Sequence, residues 1–247
     1  MMYAFLIALL AAETAFLFLV YHKLSKSIQT MRQEALQIGN NTIRQIEALM
    51  GIYAEVRSNR ALPKSRGWAA SPDLLAVLLR TVQSHKPMTA FECSSGYSTL
   101  ILAAAMRNQG DGRVVSLEHD QLYAEKTRKL LETHDLSKWA TVILAPLVKV
   151  ELDGWSGLWY DARAIPEDLT IDMLVVDGPP QSTGRFARYP ALPILLKMLN
   201  PGAITILDDT KREDETEMVA RWLNRFPSLS QLEGENCEKG CVYLKKD

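Results

Sequence analysis

The first 21 residues form an almost unbroken run of apolar side chains, Met1–Tyr21, in which Glu13 is the single charged residue. A helix of about 20 residues is about 30 Å long, which matches the hydrocarbon core of a bilayer. The ten Leu, Ile, Phe and Val side chains of the run favour insertion by roughly 3–6 kcal/mol, against a cost of roughly 2.5–3.5 kcal/mol for a carboxylate at mid-helix. The pattern therefore predicts a transmembrane helix over residues 1–21.

Two other interpretations of this run are a cleaved signal peptide and a buried core helix. No charged side chain precedes the run, and no clear small-x-small cleavage site follows it, which disfavours a signal peptide. His22, Lys23 and Lys26 follow the run, and positively charged residues tend to stay on the cytoplasmic side of a membrane. We therefore expect a single-pass membrane protein whose remaining residues lie in the cytoplasm.

Residues 22–60 are polar, contain no proline, and carry apolar residues at helical spacing. The apolar positions recur every three or four residues from Ile28 to Ile38 and, one register later, from Ile43 to Tyr53. The pattern predicts a helical stalk or short coiled coil with a break at Gly39-Asn40-Asn41, through which the chain could form a homo-oligomer. A single amphipathic helix that packs on the following domain fits the same spacing.

Residues 61–73 have the composition of a linker, and Pro72 is well placed at the first position of a helix. Beyond the linker, short apolar strands alternate with amphipathic helices, which is typical of a parallel sheet with helices on both faces. Residues 61–247 are therefore predicted to form an α/β domain. Its fold class is a Rossmann-like, doubly wound, mostly parallel seven-stranded sheet with a C-terminal antiparallel hairpin. The predicted strands are Thr89–Glu92, Arg113–Glu118, Thr141–Leu144, Asp172–Asp177, Ala203–Leu207, Leu229–Glu233 and Cys241–Lys245, and the predicted helices are Ser98–Arg107, Gln121–Thr133, Tyr189–Leu199 and Glu213–Phe226.

The charges of the chain are balanced, with 28 basic and 29 acidic residues and a net charge of −1. Nucleic-acid-binding domains usually carry a basic excess, so we expect no nucleic-acid partner. Cys93 follows the first strand, and Cys237 and Cys241 flank a Lys239-Gly240 turn. Two close cysteines without further ligands make a poor zinc site. We therefore expect both as reduced thiols and no disulfide framework.

The carboxyl ends of the predicted parallel strands carry the candidate chemistry, because ligands bind there in a doubly wound sheet. A carboxylate after the second strand can accept hydrogen bonds from both hydroxyls of a ribose. Glu118 is therefore predicted to bind a nucleoside, with a solvated loop residue as the alternative, and His119 is placed to contact adenosine. Four of the five strands end in acidic residues, which are Glu92, Glu118, Asp177 and the pair Asp208-Asp209.

The loop after the first strand reads Ser94-Ser95-Gly96-Tyr97-Ser98 and keeps one glycine, Gly96. The pyrophosphate of a dinucleotide needs several bare backbone amides at a helix start, which a G-x-G-x-x-G sequence supplies. A cofactor without phosphates demands fewer. The loop therefore favours S-adenosylmethionine (SAM) over NAD.

Four segments, in this order, resemble the motifs of class I SAM-dependent methyltransferases: FECSSGYSTLILA, VVSLEHD, IDMLVVDGPP and GAITILDD. The resemblance is closest to the small O-methyltransferase-like branch, whose first motif often reads E-x-G-S-G-x-S-T, and it covers about residues 68–247. It implies that Glu118 holds the ribose and that Asp177 faces the cofactor amine, the substrate or a metal. The chain departs from the family's pattern at Cys93-Ser94, where the second position is commonly glycine. The residues implied at the methionine end of SAM are Glu92, Ser94, Gly96, Ser98 and Thr99, and Tyr97 of the same loop is also expected to bind the cofactor.

The resemblance also implies a divalent cation, because metal-dependent O-methyltransferases of this superfamily hold one with acidic residues at these strand ends. Neighbouring strands lie about 4.8 Å apart, so Asp177, Asp208 and Asp209 could converge, and an oxygen-rich site suits Mg²⁺ or Mn²⁺. The ion would lower the pKa of an acceptor hydroxyl and orient it, with Asp177 and Asp208 as catalytic residues. In the alternative, Asp208 or Asp209 caps the following helix and Asp177 bonds locally.

The loop after the fourth strand, residues 181–193, carries Arg185, Arg188 and Tyr189 beside the predicted site. These side chains could bind an anionic or polar acceptor. The arginines could instead neutralise the three aspartates or lie in solvent. An apolar wall for the acceptor could come from three aromatic residues that are more often found in a core, namely Trp155, Trp159 and Tyr160.

These patterns together predict a membrane-anchored class I methyltransferase that uses SAM. Its acceptor would be a hydroxyl of a small-molecule or membrane-associated compound, and a sugar, a lipid head group, a phenol or a protein would each fit. An NAD-type Rossmann oxidoreductase is a second interpretation, disfavoured by the poor glycine fingerprint and the terminal hairpin. A third is a non-catalytic, membrane-tethered scaffold with a degenerate methyltransferase fold, which the missing glycines of the first loop favour.

Overall fold

The computed structural model describes residues 1–58, 60–65, 67, 69–152 and 154–247. Arg66 and Trp68 of the predicted linker lie outside the described residues. The chain divides into two compact units, Met1–Ile46 and Glu47–Asp247. Its elements are α1 (Met2–Val56), α2 (Pro72–His85), β1 (Thr89–Cys93), α3 (Tyr97–Gln109), β2 (Arg113–Glu118), α4 (Gln121–Thr133), β3 (Ala140–Leu144), β4 (Leu147–Leu152), β5 (Trp155–Tyr160), β6 (Ile171–Val176), α5 (Ala191–Leu195), β7 (Leu199–Asp208), α6 (Glu213–Arg225), β8 (Leu229–Leu232) and β9 (Cys241–Lys246).

The first unit is helical from Met2 onwards. Large apolar side chains between Met1 and Tyr21 are exposed, and the helix is long and apolar enough to cross a membrane. The predicted break at Gly39-Asn40-Asn41 is wrong, because α1 continues through it. A glycine inside a helix costs only about 1 kcal/mol relative to alanine, which does not outweigh the hydrogen bonds of an uninterrupted helix. The coiled coil and the homo-oligomer stay predictions.

Seven strands of the second unit form one sheet in the order β3-β2-β1-β6-β7-β9-β8. Strands β1, β2, β3, β6 and β7 run parallel, and β9 pairs antiparallel with both β7 and β8. This confirms the predicted Rossmann-like sheet with its antiparallel hairpin. The strand order reverses between β1 and β6, and in such folds the ligand-binding crevice lies at the carboxyl ends of the strands at this switch point.

Both faces of the sheet are covered, which explains why its strands are so apolar. Ala90 and Phe91 in β1 are each fully buried but belong to different core clusters, because successive side chains of a strand point to opposite faces. The first cluster contains the apolar side chains of α2 and α3, and the second contains those of α5 and α6. Strands buried on both faces read as continuous apolar runs, and this pattern revealed them in the sequence.

The hairpin of β4 and β5 was not predicted. The two strands pair only with each other, with Leu147 opposite Tyr160. Trp155, Trp159 and Tyr160 of β5 are buried in the core, and Trp155 Nε1 donates a hydrogen bond to the carbonyl oxygen of Arg185 at 3.4 Å. These aromatic residues therefore hold the hairpin against the loop after β6, and an exposed acceptor wall is not formed by them.

The helix predicted over Tyr189–Leu199 is shorter than expected. Helix α5 covers Ala191–Leu195, a 3₁₀ turn follows at Leu196–Met198, and β7 already begins at Leu199. Pro190 and Pro193 provide no backbone amide, so neither can donate the hydrogen bond that a helix interior requires.

Cys237 and Cys241 form a disulfide bond, and Cys93 is a free, buried cysteine. The expectation of two reduced thiols was therefore wrong. The amide of Gly240 donates a hydrogen bond to the carbonyl oxygen of Cys237 at 2.9 Å. This closes the turn that brings the two sulfur atoms together.

Candidate functional site

The loop between β1 and α3 borders the crevice and has an unusual backbone. Gly96, directly before α3, has a φ of +137°, and the space where its Cβ would stand is open. Ser94 has a φ of +143°, a conformation that glycine adopts readily and other residues rarely do. Gly96 therefore leaves its backbone open to a ligand, whereas Ser94 carries a Cβ in a glycine conformation.

Glu92 lies beneath this loop and is fully buried. Its Oε2 accepts hydrogen bonds from Thr99 Oγ1 at 2.6 Å and Ser116 Oγ at 2.8 Å, and Thr99 Oγ1 accepts one from the Gly96 amide at 3.0 Å. Burial raises the pKa of Glu92 to about 7, although hydrogen bonds from neighbouring hydroxyls lower it. Glu92 and Thr99 therefore hold the loop in place from below. Among the cofactor-binding residues predicted in this region, Ser94 and Gly96 are half-buried, and Glu92, Tyr97, Ser98 and Thr99 are buried.

Glu118 ends β2 and is held in one orientation. Its Oε1 accepts hydrogen bonds from the amides of His119 at 2.9 Å and Asp120 at 3.1 Å, and its Oε2 accepts one from Ser95 Oγ at 2.7 Å. Burial raises the pKa of Glu118, but the hydrogen bonds from His119, Ser95 and Asp120 outweigh it and hold the pKa below its usual value. Glu118 is therefore a preset, ionised carboxylate beside the first loop.

His119 lies next to this carboxylate at the rim of the crevice. Its Nδ1 is 3.1 Å from Glu118 Oε1, and this hydrogen bond raises the pKa of His119 despite partial burial. Its ring meets the edge of Tyr160 with a centroid distance of 6.1 Å. His119 is the more exposed of the pair, so it is accessible to a ligand bound at Glu118.

Three aspartates lie close together at the ends of β6 and β7, which confirms the prediction that their carboxylates converge. Asp177, Asp208 and Asp209 each offer a carboxylate oxygen within 4.8 Å of the others. Burial and the neighbouring carboxylates raise the pKa of Asp177, and they raise the pKa of Asp208 to about 8. The side chain of Asp177 is 16% exposed, whereas Asp208 and Asp209 are buried.

Arg188 lies inside this aspartate cluster. Its Nη2 is 3.1 Å from Asp177 Oδ1 and 2.7 Å from Asp209 Oδ2, and its Nη1 donates to the carbonyl oxygen of Asp208 at 3.0 Å. Burial lowers the pKa of Arg188, but the surrounding carboxylates raise it by more than burial lowers it, so the guanidinium stays charged. Arg212 adds a second cation, 2.9 Å from Asp209 Oδ2. Arg188 therefore neutralises the aspartates, which was one of the predictions for it, and its contact with a substrate stays a prediction.

The two other residues predicted to contact a substrate have different surroundings. Tyr189 is buried, stacks on Trp222 with a centroid distance of 6.5 Å, and accepts a hydrogen bond from Trp222 Nε1 at its carbonyl oxygen. Arg185 is exposed and pairs with Asp214 at 3.2 Å and Glu217 at 3.3 Å. Of the three predicted substrate residues, Arg185 is thus the one that solvent can reach.

The sequence patterns did not single out two residues that shape the site, Ser95 and Ser116. Ser95 bonds to Glu118 as described, and Ser116 bonds to Glu92. Ser116 is a polar residue in an apolar strand, a signal that could have revealed it. Tyr160 was considered for an acceptor wall, and it reaches the site through the β4–β5 hairpin, which was not predicted; its hydroxyl lies against Gly178.

The sheet order and the switch point between β1 and β6 match a Rossmann-like methyltransferase fold. Residues 93–210 match a family model described as a methyltransferase domain. The matched segment begins at the first loop and includes Glu118 and the three aspartates. No curated protein sequence matches the chain.

Solved structures with the same fold include several methyltransferases. The O-methyltransferase from Bacillus cereus, in complex with SAH, is 19% identical with a TM-score of 0.55, and the match covers 82% of this chain and 90% of that one. The O-methyltransferase TomG from Streptomyces achromogenes, involved in tomaymycin synthesis and in complex with SAM, is 17% identical with a TM-score of 0.54, covering 72% and 81%. The SAH-bound methyltransferase PaMTH1 from Podospora anserina is 14% identical with a TM-score of 0.57, covering 81% and 88%. At these identities the likenesses show the fold.

Proposed function

We propose that the chain is a SAM-dependent methyltransferase that acts on a hydroxyl of its acceptor. The observation that carries the proposal is the meeting of the first loop and the Glu118 carboxylate at one crevice, where Ser95 Oγ lies 2.7 Å from Glu118 Oε2. An open glycine backbone and a carboxylate at the end of the second strand are the two elements with which such folds bind a nucleoside. The family match and the SAM- and SAH-bound neighbours support this cofactor.

Glu118 would hold the ribose of the cofactor. Two backbone amides fix its Oε1, so the orientation of the carboxylate is already set before a ligand arrives. The Ser95 hydroxyl at Oε2 also lies 3.0 Å from Thr127 Oγ1. A ribose hydroxyl can therefore replace Ser95 at Glu118 while Ser95 keeps a partner. The open side of Gly96 would accept the methionine end.

When bound, SAM would supply a methyl group on its sulfonium centre. The acceptor oxygen would attack the methyl carbon in line with the C–S bond, so that an O–C bond forms while the C–S bond breaks and the demethylated cofactor leaves. The protein's task is to align the two and to remove the proton of the hydroxyl. Asp177 is the most exposed carboxylate of the aspartate cluster, so we assign proton removal to Asp177, with Asp208 beside it. Loss of such a general base typically lowers the rate by roughly 100- to 10,000-fold.

We further propose that residues 1–21 anchor the chain in a membrane and that the second unit faces the cytoplasm. The basic residues after the apolar run support this orientation. The structure pairs Cys237 with Cys241, and disulfides are rare in the cytosol, so the state of these two sulfur atoms in intact cells reports the orientation, with free thiols supporting a cytoplasmic domain. Alkylation of thiols before lysis, followed by mass spectrometry, tests the prediction. A disulfide already formed in the cell would place the domain on the oxidising side.

The ribose assignment is tested with Glu118→Ala. We expect calorimetry to show SAM binding to the wild-type chain and none to this variant, because the fixed carboxylate is lost. Glu125→Ala is the matched control, since Glu125 is an exposed glutamate of the following helix α4. Unchanged SAM affinity in Glu118→Ala would count directly against the assignment.

A further inference from the structure

The aspartate cluster at the ends of β6 and β7 has the composition of a divalent-cation site. Mg²⁺ requires oxygen ligands at about 2.0–2.1 Å in near-octahedral geometry, so an ion would have to lie directly between the carboxylates. Asp177, Asp208 and Asp209 are close enough for this, with oxygens within 4.8 Å of one another. What lies between them therefore decides whether the cluster can bind metal.

The guanidinium of Arg188 lies between the carboxylates of Asp177 and Asp209. A single nitrogen, Nη2, contacts both Asp177 Oδ1 at 3.1 Å and Asp209 Oδ2 at 2.7 Å. An ion bridging these two oxygens would need the space that this nitrogen fills. The second nitrogen, Nη1, is fixed by the carbonyl oxygen of Asp208 at 3.0 Å.

Arg188 is also firmly held in this position. Its side chain is 4% exposed, and the flanking residues Phe186, Ala187 and Tyr189 are buried. The amide of Ala191 donates to the carbonyl oxygen of Arg188 at 3.1 Å, and the amide of Tyr189 donates to that of Phe186 at 2.9 Å. Moving the guanidinium out would therefore require the loop to leave its core contacts.

The charge balance favours the same conclusion. Arg188 and Arg212 already face the three carboxylates. A divalent ion placed beside both guanidinium groups would be repelled by them, and like charges at such distances disfavour binding. The carboxylate of Asp208 has no hydrogen-bond partner among the described residues, so it would be free to become a metal ligand once the guanidinium is removed.

We propose that Arg188 is the resident cation of this cluster, which positions Asp177 and Asp209 and replaces the divalent ion expected from the sequence. The chain then binds no divalent cation at these residues. The inference does not rest on methyl transfer, because metal binding and the melting temperature are measured without SAM. A failure of this inference can therefore be distinguished from a failure of the proposed function.

The test compares the full-length wild type with Arg188→Met, which keeps an unbranched side chain and removes the charge. Mn²⁺ binding is measured by electron paramagnetic resonance, and the melting temperature is measured with EDTA, Mg²⁺ or Mn²⁺. We expect no stoichiometric Mn²⁺ site in the wild type and no shift of its melting temperature. Arg188→Met should melt lower than the wild type in EDTA, bind one Mn²⁺ per chain, and regain stability with the metal.

Two further variants keep the test decisive. Arg185→Met is the matched control from the same loop, and it should show no response to Mn²⁺ because its arginine is exposed and outside the cluster. Arg188→Lys retains a positive charge, so it should fold and stay insensitive to Mn²⁺ even if Arg188→Met does not fold. A wild-type chain that binds one Mn²⁺ and is stabilised by it overturns the proposal. A folded Arg188→Met that binds no Mn²⁺ also overturns it. An Arg188→Lys that binds Mn²⁺ and is stabilised by it does so as well.

Discussion

Replacing Ser94 with glycine should stabilise the protein. Ser94 has a φ of +143°, where a side chain on Cα is strained. Residues held in such sparsely populated regions cost about 1–3 kcal/mol. Glycine removes this strain but makes the unfolded chain more flexible, at a cost of about 0.4–1 kcal/mol. The net gain in the free energy of unfolding should therefore be about 0.5–2 kcal/mol.

Two measurements on the full-length chain in detergent check this gain. Urea unfolding followed by tryptophan fluorescence gives the free energy, because the chain contains five tryptophans. For a domain of this size, each kcal/mol shifts the melting temperature by about 2–4 °C, so we expect Ser94→Gly to melt about 1–8 °C higher.

Ser94→Ala separates backbone strain from the loss of the hydroxyl. Alanine keeps the Cβ that conflicts with the positive φ, so its stability should stay within about 0.5 kcal/mol of the wild type, as for most substitutions without a specific mechanism. The reasoning is refuted if Ser94→Ala stabilises the chain as much as Ser94→Gly, or if Ser94→Gly lowers its stability.

Three further predictions concern stability, each checked by urea unfolding. Gly178→Ala should destabilise the protein by about 1–3 kcal/mol through overpacking, because the new Cβ would overlap the Tyr160 hydroxyl and lie 3.0 Å from the carbonyl oxygen of Cys93. The control Gly51→Ala lies in a helix with open space around it and should instead stabilise the protein by about 1 kcal/mol. Equal effects of the two substitutions would contradict the packing argument. The pKa of Glu92 is about 7 in the folded chain against a usual 4.5, so the folded form holds this proton more tightly than the unfolded chain does. The contribution of protonated Glu92 to the free energy of unfolding is therefore complete below pH 4.5 and is lost as the pH rises to 7. Over this range the wild type should lose about 3 kcal/mol more than Glu92→Gln, because the loss due to the raised pKa values of Asp177 and Asp208 is common to both chains. Parallel pH profiles would contradict the assignment. Cys241→Ser opens a disulfide with a sequence separation of 4 and should cost about 2 kcal/mol by the loop-entropy relation, an effect that should vanish when the wild type is measured in reducing agent.

The main sheet could be predicted because its strands are buried on both faces and read as short apolar runs between helices. Strands β4 and β5 could have been found from the alternation of Val148, Lys149, Val150 and Glu151. The hairpin pairs only with itself, so it has no place in the alternation of strands and helices that predicts the parallel sheet. The continuous helix at Gly39-Asn40-Asn41 shows that residues unfavourable in helices do not end one by themselves.

The site was predictable as far as it depends on strand ends. Glu118 and the three aspartates lie at the crevice because parallel strands place their carboxyl ends at one edge. The partners of these carboxylates come from distant segments and leave no local pattern. Arg188 is 21 positions from Asp209, and the sequence left open whether it binds an acceptor, neutralises the aspartates or lies in solvent. The burial of Glu92 beneath the loop likewise follows from the packing of α3 on the sheet.

The central claim is that the crevice binds SAM, and calorimetry on the full-length protein tests it most directly. Separate titrations with SAM, with its demethylated product and with NAD compare the three interpretations of the fold. We expect SAM and the product to bind at one site per chain and NAD to show no binding. Binding of NAD without SAM would point to an oxidoreductase. A folded protein that binds neither SAM nor its product would contradict the account and favour a membrane-tethered scaffold.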